Sequence, residues 1–248
     1  GGSTKTDTFQ LTTSYQHVGE AFTAAKDYQL QQGQNLMDYA AVYSPTSAIK
    51  LSSSFKRSET LIGEKKGYSD AFSSNSLVLT PTGAPKLSFT RTEEEKKNPT
   101  GSVSTTTDAI VAEHKFSETL SAVASRRDVT TESGGGETNL VTDQLVLSAK
   151  PNDKVAMTGR LTQKDSSVSG EETAIGFDVA ANPNSSLSVK AAINRVDSEA
   201  SGERNSEALH LAAKPGEKVN VDVKLGHVDA DQTGEQLTHA VKVVSEKG

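Results

Sequence analysis

The chain has no cysteine and no tryptophan, only 5% aromatic residues, and hydrophobic residues fill just 33% of its 248 positions. Each shortage excludes something. Without thiols there is no disulfide and no thiolate metal site. With so few large apolar side chains, a thick core of the ordinary globular kind is out of reach, since such domains are close to half apolar. No stretch holds the ~18 apolar residues that a membrane-crossing helix requires. Lys and Arg number 26 against 32 Asp and Glu, a net charge of −6. The cations are dispersed rather than clustered, so the electrostatic footprint of a nucleic-acid-binding protein is missing. Nucleophile elbow, phosphate loop and dinucleotide fingerprint are all absent, and Gly134-Gly135-Gly136 precedes a strand pattern where a phosphate cradle would precede a helix. The histidines, His17, His114, His210, His227 and His239, fall on five separate segments with no metal-ligand spacing. The expectation is a protein without enzymatic activity, cofactor or nucleic-acid partner.

What the chain does have is a repeat. Pro151, Pro183 and Pro215 lie 32 residues apart, in the polar turns Lys150-Pro151-Asn152-Asp153, Asn182-Pro183-Asn184-Ser185 and Lys214-Pro215-Gly216-Glu217. Before them, Leu145, Leu147 and Ala149 correspond to Phe177, Val179 and Ala181, then to Leu209, Leu211 and Ala213. After them come Val155, Met157, Gly159 and Leu161, then Leu187, Val189, Ala191 and Ile193, then Val219, Val221, Val223 and Leu225. Apolar residues at every second position describe strands with one apolar face. A four-residue turn between two such strands returns the chain antiparallel, because parallel strands need a crossover of a dozen residues or more. Looser copies stand upstream at Tyr43-Ser44-Pro45-Thr46-Ser47, at Thr80-Pro81-Thr82-Gly83 and, without its proline, at Lys115-Phe116-Ser117-Glu118.

The pattern predicts a single all-β domain over residues 1–248, with three regular 32-residue hairpins within 139–244 and spacings of 35 or 36 residues before them. About fourteen strands are expected, from 6–18 and 36–44 through to 218–228 and 236–244. Polar, glycine-bearing stretches at 19–35, 58–71, 92–104, 127–138, 164–172, 196–206 and 228–235 read as long loops that alternate with the short turns. The longer loops of the N-terminal half are expected to make the outside contacts.

Hairpins such as Ser148-Ala149-Lys150-Pro151-Asn152-Asp153-Lys154-Val155-Ala156-Met157, repeated along nearly the whole chain, resemble those of bacterial outer-membrane porin-like β-barrels. The resemblance implies an antiparallel up-and-down barrel in the outer membrane. Its partner is the lipid bilayer, it admits a homo-oligomer or a larger envelope assembly, and it acts as a channel for small hydrophilic solutes or as a structural barrel. On this reading the residues between the apolar ones line the lumen: Lys50, Lys56, Arg160, Asp178, Lys190, Asp222, Lys224 and Lys242. Both signs occur, which suits passive permeation better than strict selection of one ion sign. The alternative is a secreted or surface structural β-repeat, a solenoid or fibre, whose aliphatic face is a dry core between stacked neighbours.

One metal candidate stands out. Asp229, Asp231, Thr233 and Glu235 have the Asp-x-Asp-x-Thr-Gly spacing of a calcium loop, but the equivalent stretches 165–171 and 197–203 lack the second aspartate. A solvated acidic loop with its glycine in a left-handed conformation explains all three copies.

Overall fold

The computed structural model describes residues 1–19, 33–61, 67–216 and 219–245. The expected long connections at residues 20–32 and 62–66, and the end of the third proline turn at 217–218, lie outside these residues. Among the described residues everything regular is β. The strands are β1 (Gly2–Lys5), β2 (Phe9–Val18), β3 (Gln34–Thr46), β4 (Ile49–Thr60), β5 (Ser69–Leu79), β6 (Lys86–Asn98), β7 (Gly101–Lys115) and β8 (Leu120–Ser133). They continue as β9 (Gly136–Asn152), β10 (Val155–Ser166), β11 (Gly170–Asn184), β12 (Leu187–Ser198), β13 (Gly202–Gly216), β14 (Val219–Ala230) and β15 (Gln236–Ser245). Each pairs with its neighbours in sequence, in one up-and-down order from β1 to β15, and no pairing among the described residues joins β15 to β1. The strands distribute over two compact units, residues 1–112 with 126–141 and residues 113–125 with 142–248.

The count is fifteen where fourteen were expected, because residues 2–5 fold back as β1. Gly2 pairs with Thr13 and Lys5 with Gln10. The turn between them is closed by Thr6, whose backbone N–H donates to the Phe9 carbonyl at 2.6 Å and whose Oγ1 accepts the Phe9 N–H at 3.0 Å. Gly-Ser-Thr-Lys has no apolar alternation, so only its backbone reveals it as a strand.

A larger correction concerns the loops. The stretches 92–104, 127–138, 164–172 and 196–206 are strand for most of their length. Their connections shrink to Pro99-Thr100, Gly134-Gly135 and residues 167–169 and 199–201. Polar residues on both faces looked like loop composition, yet a ladder of backbone hydrogen bonds does not need an apolar face. Gly170, Gly202 and Gly234 at these tips have φ of 74°, 75° and 69°, as the left-handed reading required.

The prolines sit one step earlier than the sequence suggested. Pairing shifts register between Tyr43 and Thr46, between Ala181 and Asn184, and between Ala213 and Gly216. Pro45, Pro183 and Pro215 therefore occupy β-bulges, where a residue without N–H costs no ladder bond. The reversal itself starts two residues past the proline, at Asp153-Lys154 and Ser185-Ser186, and is held by a side chain: Asn152 Oδ1 accepts Lys154 N–H and Asn184 Oδ1 accepts Ser186 N–H, both at 2.9 Å. The N–H just before each proline reaches sideways to the preceding turn. Ser44 donates to Thr8 O, Lys150 to Thr119 O, Asn182 to Lys154 O and Lys214 to Ser186 O, at 2.6–2.8 Å.

The described residues form no dry core. Among the described residues the only buried hydrophobic side chain is Val18, 4% exposed, whereas Ile193 is 56% and Val241 67% exposed. Antiparallel pairing of consecutive strands also removes the solenoid alternative, whose coils stack in parallel.

Candidate functional site

Cross-strand partners share a face, so register sorts each unit into an apolar and a polar side. In the second unit one row runs Val155, Ala181, Val189, Leu211, Val223, Val241 across six strands. The next row runs Met157, Val179, Ala191, Leu209, Leu225, His239. Along β12, Leu187 to Ile193 covers about 20 Å at ~3.3 Å per residue, close to the ~25 Å apolar band of a barrel that crosses a bilayer. Beyond Ile193 the same face turns polar: Glu207 lies opposite Ile193, and Arg195 pairs with Glu203 at 3.2 Å. The first unit repeats the design. Tyr43 lies opposite Leu51, and Leu51 opposite Leu77, which faces Phe89. Tyr39 and Phe55 stack with ring centres 5.8 Å apart, one residue pair below Arg57. Arg91, on the same face, bonds Glu93 at 2.9 Å and Asp108 at 3.7 Å. A hollow of about 610 Å³ opens among Tyr43, Leu51, Leu77, Phe89 and Ile110, bounded by the Arg91–Asp108 pair.

The other side of the sheet carries the residues singled out for a lumen. In the second unit all six share one face. Lys190 lies opposite His210, and His210 opposite Lys224. Asp222 lies opposite Ala212 and Lys242, and Asp178 opposite Thr158 and Ala192. Arg160 reaches Asp178 at 3.9 Å. In the first unit Lys50 lies opposite Val78, and Lys56 between Asp38 and Phe72. In the second unit the neighbours of these charges include Ala180, Ala192, Ala208, Ala212, Ala240 and Gly226, side chains too small to fill space above the sheet.

Sequence reasoning missed His210. Its Nε2–H donates to Asp222 Oδ2 at 2.7 Å, and the same carboxylate has Lys224 Nζ at 3.8 Å. The clue lay in the hairpin: residues either side of the Pro215 turn at matching distances must meet, which sets His210 diagonal to Asp222.

The calcium candidate does not assemble. Asp231 accepts the Glu203 N–H at 2.9 Å, and Glu235 bonds His227 Nε2 at 3.1 Å. Asp229 sits within β14, paired with Asn205. The tip closes on itself, Thr233 and Gly234 N–H donating to Ala230 O at 3.2 and 2.7 Å. Among the described residues no three His, Asp or Glu side chains are grouped to hold a metal ion.

These tips show a device invisible in the sequence. Glu199 N–H donates to Glu171 O and Asp231 N–H to Glu203 O, at 3.0 and 3.1 Å. In return the Glu199 and Asp231 carboxylates accept the Glu171 and Glu203 N–H, at 3.2 and 2.9 Å. Each carboxylate passes over the glycine of the neighbouring tip. A Cβ on Gly202 would stand 2.6 Å from Asp231 Oδ2, and one on Gly170 would collide with Glu199.

No family model matches the chain, and no curated protein matches it in sequence. Solved structures do match its fold. The siderophore receptor PirA from Pseudomonas aeruginosa superposes with a TM-score of 0.53 at 13% identity, over 78% of this chain and 39% of the receptor. A mutant of the ferric enterobactin receptor PfeA from the same organism gives 0.51 at 8% identity, over 91% of this chain and 49% of the receptor. The chain thus spans less than half of either, and it shares with these receptors an antiparallel up-and-down β-fold of the porin-like barrel kind.

Proposed function

We propose that the chain forms an outer-membrane β-barrel whose apolar face meets lipid and whose polar face lines a water-filled passage for small hydrophilic solutes. A structural barrel without a conducting path is the second form of the same reading. One observation carries it: within each unit the sheet is apolar on one face and polar on the other, and among the described residues large side chains of the apolar face, Ile193 and Val241 among them, are exposed. Soluble proteins rarely leave contiguous apolar patches larger than a few hundred Å², whereas a barrel in a membrane requires one. The wide polar strand ends past the belt then stand in the headgroups and in water.

Closure completes the proposal. A closed barrel leaves no strand edge unpaired, as lipid demands. A barrel that fails to close would offer β15 to a second copy or a larger envelope assembly. No catalytic step belongs to this function.

The test is purification in detergent. A barrel migrates differently before and after boiling, partitions with membranes and passes current across a planar bilayer. A water-soluble product that builds filaments would instead establish the surface-fibre alternative.

A further inference from the structure

We propose that the polar face of the second unit is an anion-selective surface, centred on Lys190, His210 and Lys224; this rests on the channel reading above. The chain as a whole is acidic, with a net charge of −6. The row is therefore not a by-product of composition.

Register places Lys190, His210 and Lys224 directly abreast on β12, β13 and β14. At ~4.8 Å between strands the two lysines stand about 10 Å apart with the imidazole between them. Arg160 on this face is offset by Asp178. Asp222 is shared by His210, Lys224 and the facing Lys242. One carboxylate cannot neutralise that set, and Lys190 has no ion-pair partner among the described residues. On the corresponding face of the first unit, Asp38 faces Lys56, Asp70 faces Lys96, and Glu94 bonds Lys96 at 2.7 Å.

A carboxylate or phosphate group entering between Lys190 and Lys224 meets two ammonium groups. The His210 ring is turned to Asp222, which keeps that acid from pairing fully with Lys224. The small side chains of Ala192, Ala208 and Ala212 on the adjoining rows leave the cations uncovered. Fixed charge of one sign on a wall of low dielectric raises the local concentration of the opposite ion. The ligand class is therefore a small solute carrying carboxylate or phosphate groups.

Reversal potentials in a KCl gradient across a planar bilayer test this. The wild-type channel is expected to favour chloride over potassium by ~2-fold or more, with a K190Q/K224Q variant falling toward ~1, as one-sign wall charge is removed. K190R/K224R keeps the preference, which separates charge from packing. Citrate or inorganic phosphate on one side should reduce chloride current in the wild type and not in K190Q/K224Q. Current that is cation-selective, or selectivity untouched by K190Q/K224Q in a heat-modifiable barrel, overturns the anion surface and leaves the channel standing. A barrel that carries no current in any variant overturns both.

Discussion

Two glycines separate the demands that a tip makes on one residue. Gly202 and Gly234 have almost the same left-handed φ, 75° and 69°, but only Gly202 lies under a neighbour's carboxylate. Alanine at Gly234 meets nothing within 4 Å and should cost the backbone term alone, about 1–2 kcal/mol. Alanine at Gly202 carries the same term and displaces Asp231, losing a charge-assisted bond worth about 1 kcal/mol more. Urea unfolding in detergent micelles should rank Gly202→Ala below Gly234→Ala; equal midpoints would mean that the Asp231 clasp contributes nothing. The glycine requirement was legible, since Ser-Gly-Glu and Thr-Gly-Glu recur at a fixed interval. The clasp was not, because it joins residues 28 apart through lateral neighbours that no local pattern names. His210 was hidden for a related reason: its partner is set by strand register, and a lone histidine among alternating residues reads as one more polar position.

Strands were legible where they carry apolar alternation and illegible where they do not. Leu187, Val189, Ala191 and Ile193 announced β12, but its last two residues, Asp197 and Ser198, are polar and looked like the start of a loop. β1 has no apolar residue and was missed altogether. Its four residues hold only the edge of β2, from Gln10 to Thr13. Deleting residues 1–5 should therefore leave the heat-modifiable form intact and change the unfolding midpoint little. Loss of that form would show that the barrel depends on β1. The proline positions were legible as turn markers but displaced from the reversal, because composition signals a bulge and a turn with the same residues.

For the molecule as a whole, the two faces and the antiparallel order followed from a period of two and from short turns. Which face meets which medium did not, since alternation is the same in a soluble sheet and in a barrel. The chain's own chemistry offers a direct way to decide. Having no cysteine, it accepts single thiols as unique labelling sites. Spin labels at Val221→Cys, Asp222→Cys, Val223→Cys, Lys224→Cys and Leu225→Cys, in protein reconstituted into liposomes, report collisions with oxygen, concentrated in lipid, and with a nickel chelate confined to water. The lipid-facing account predicts alternation, with oxygen favoured at 221, 223 and 225 and nickel at 222 and 224. Nickel access at all five positions, or exclusion of both reagents at the odd ones, would contradict it.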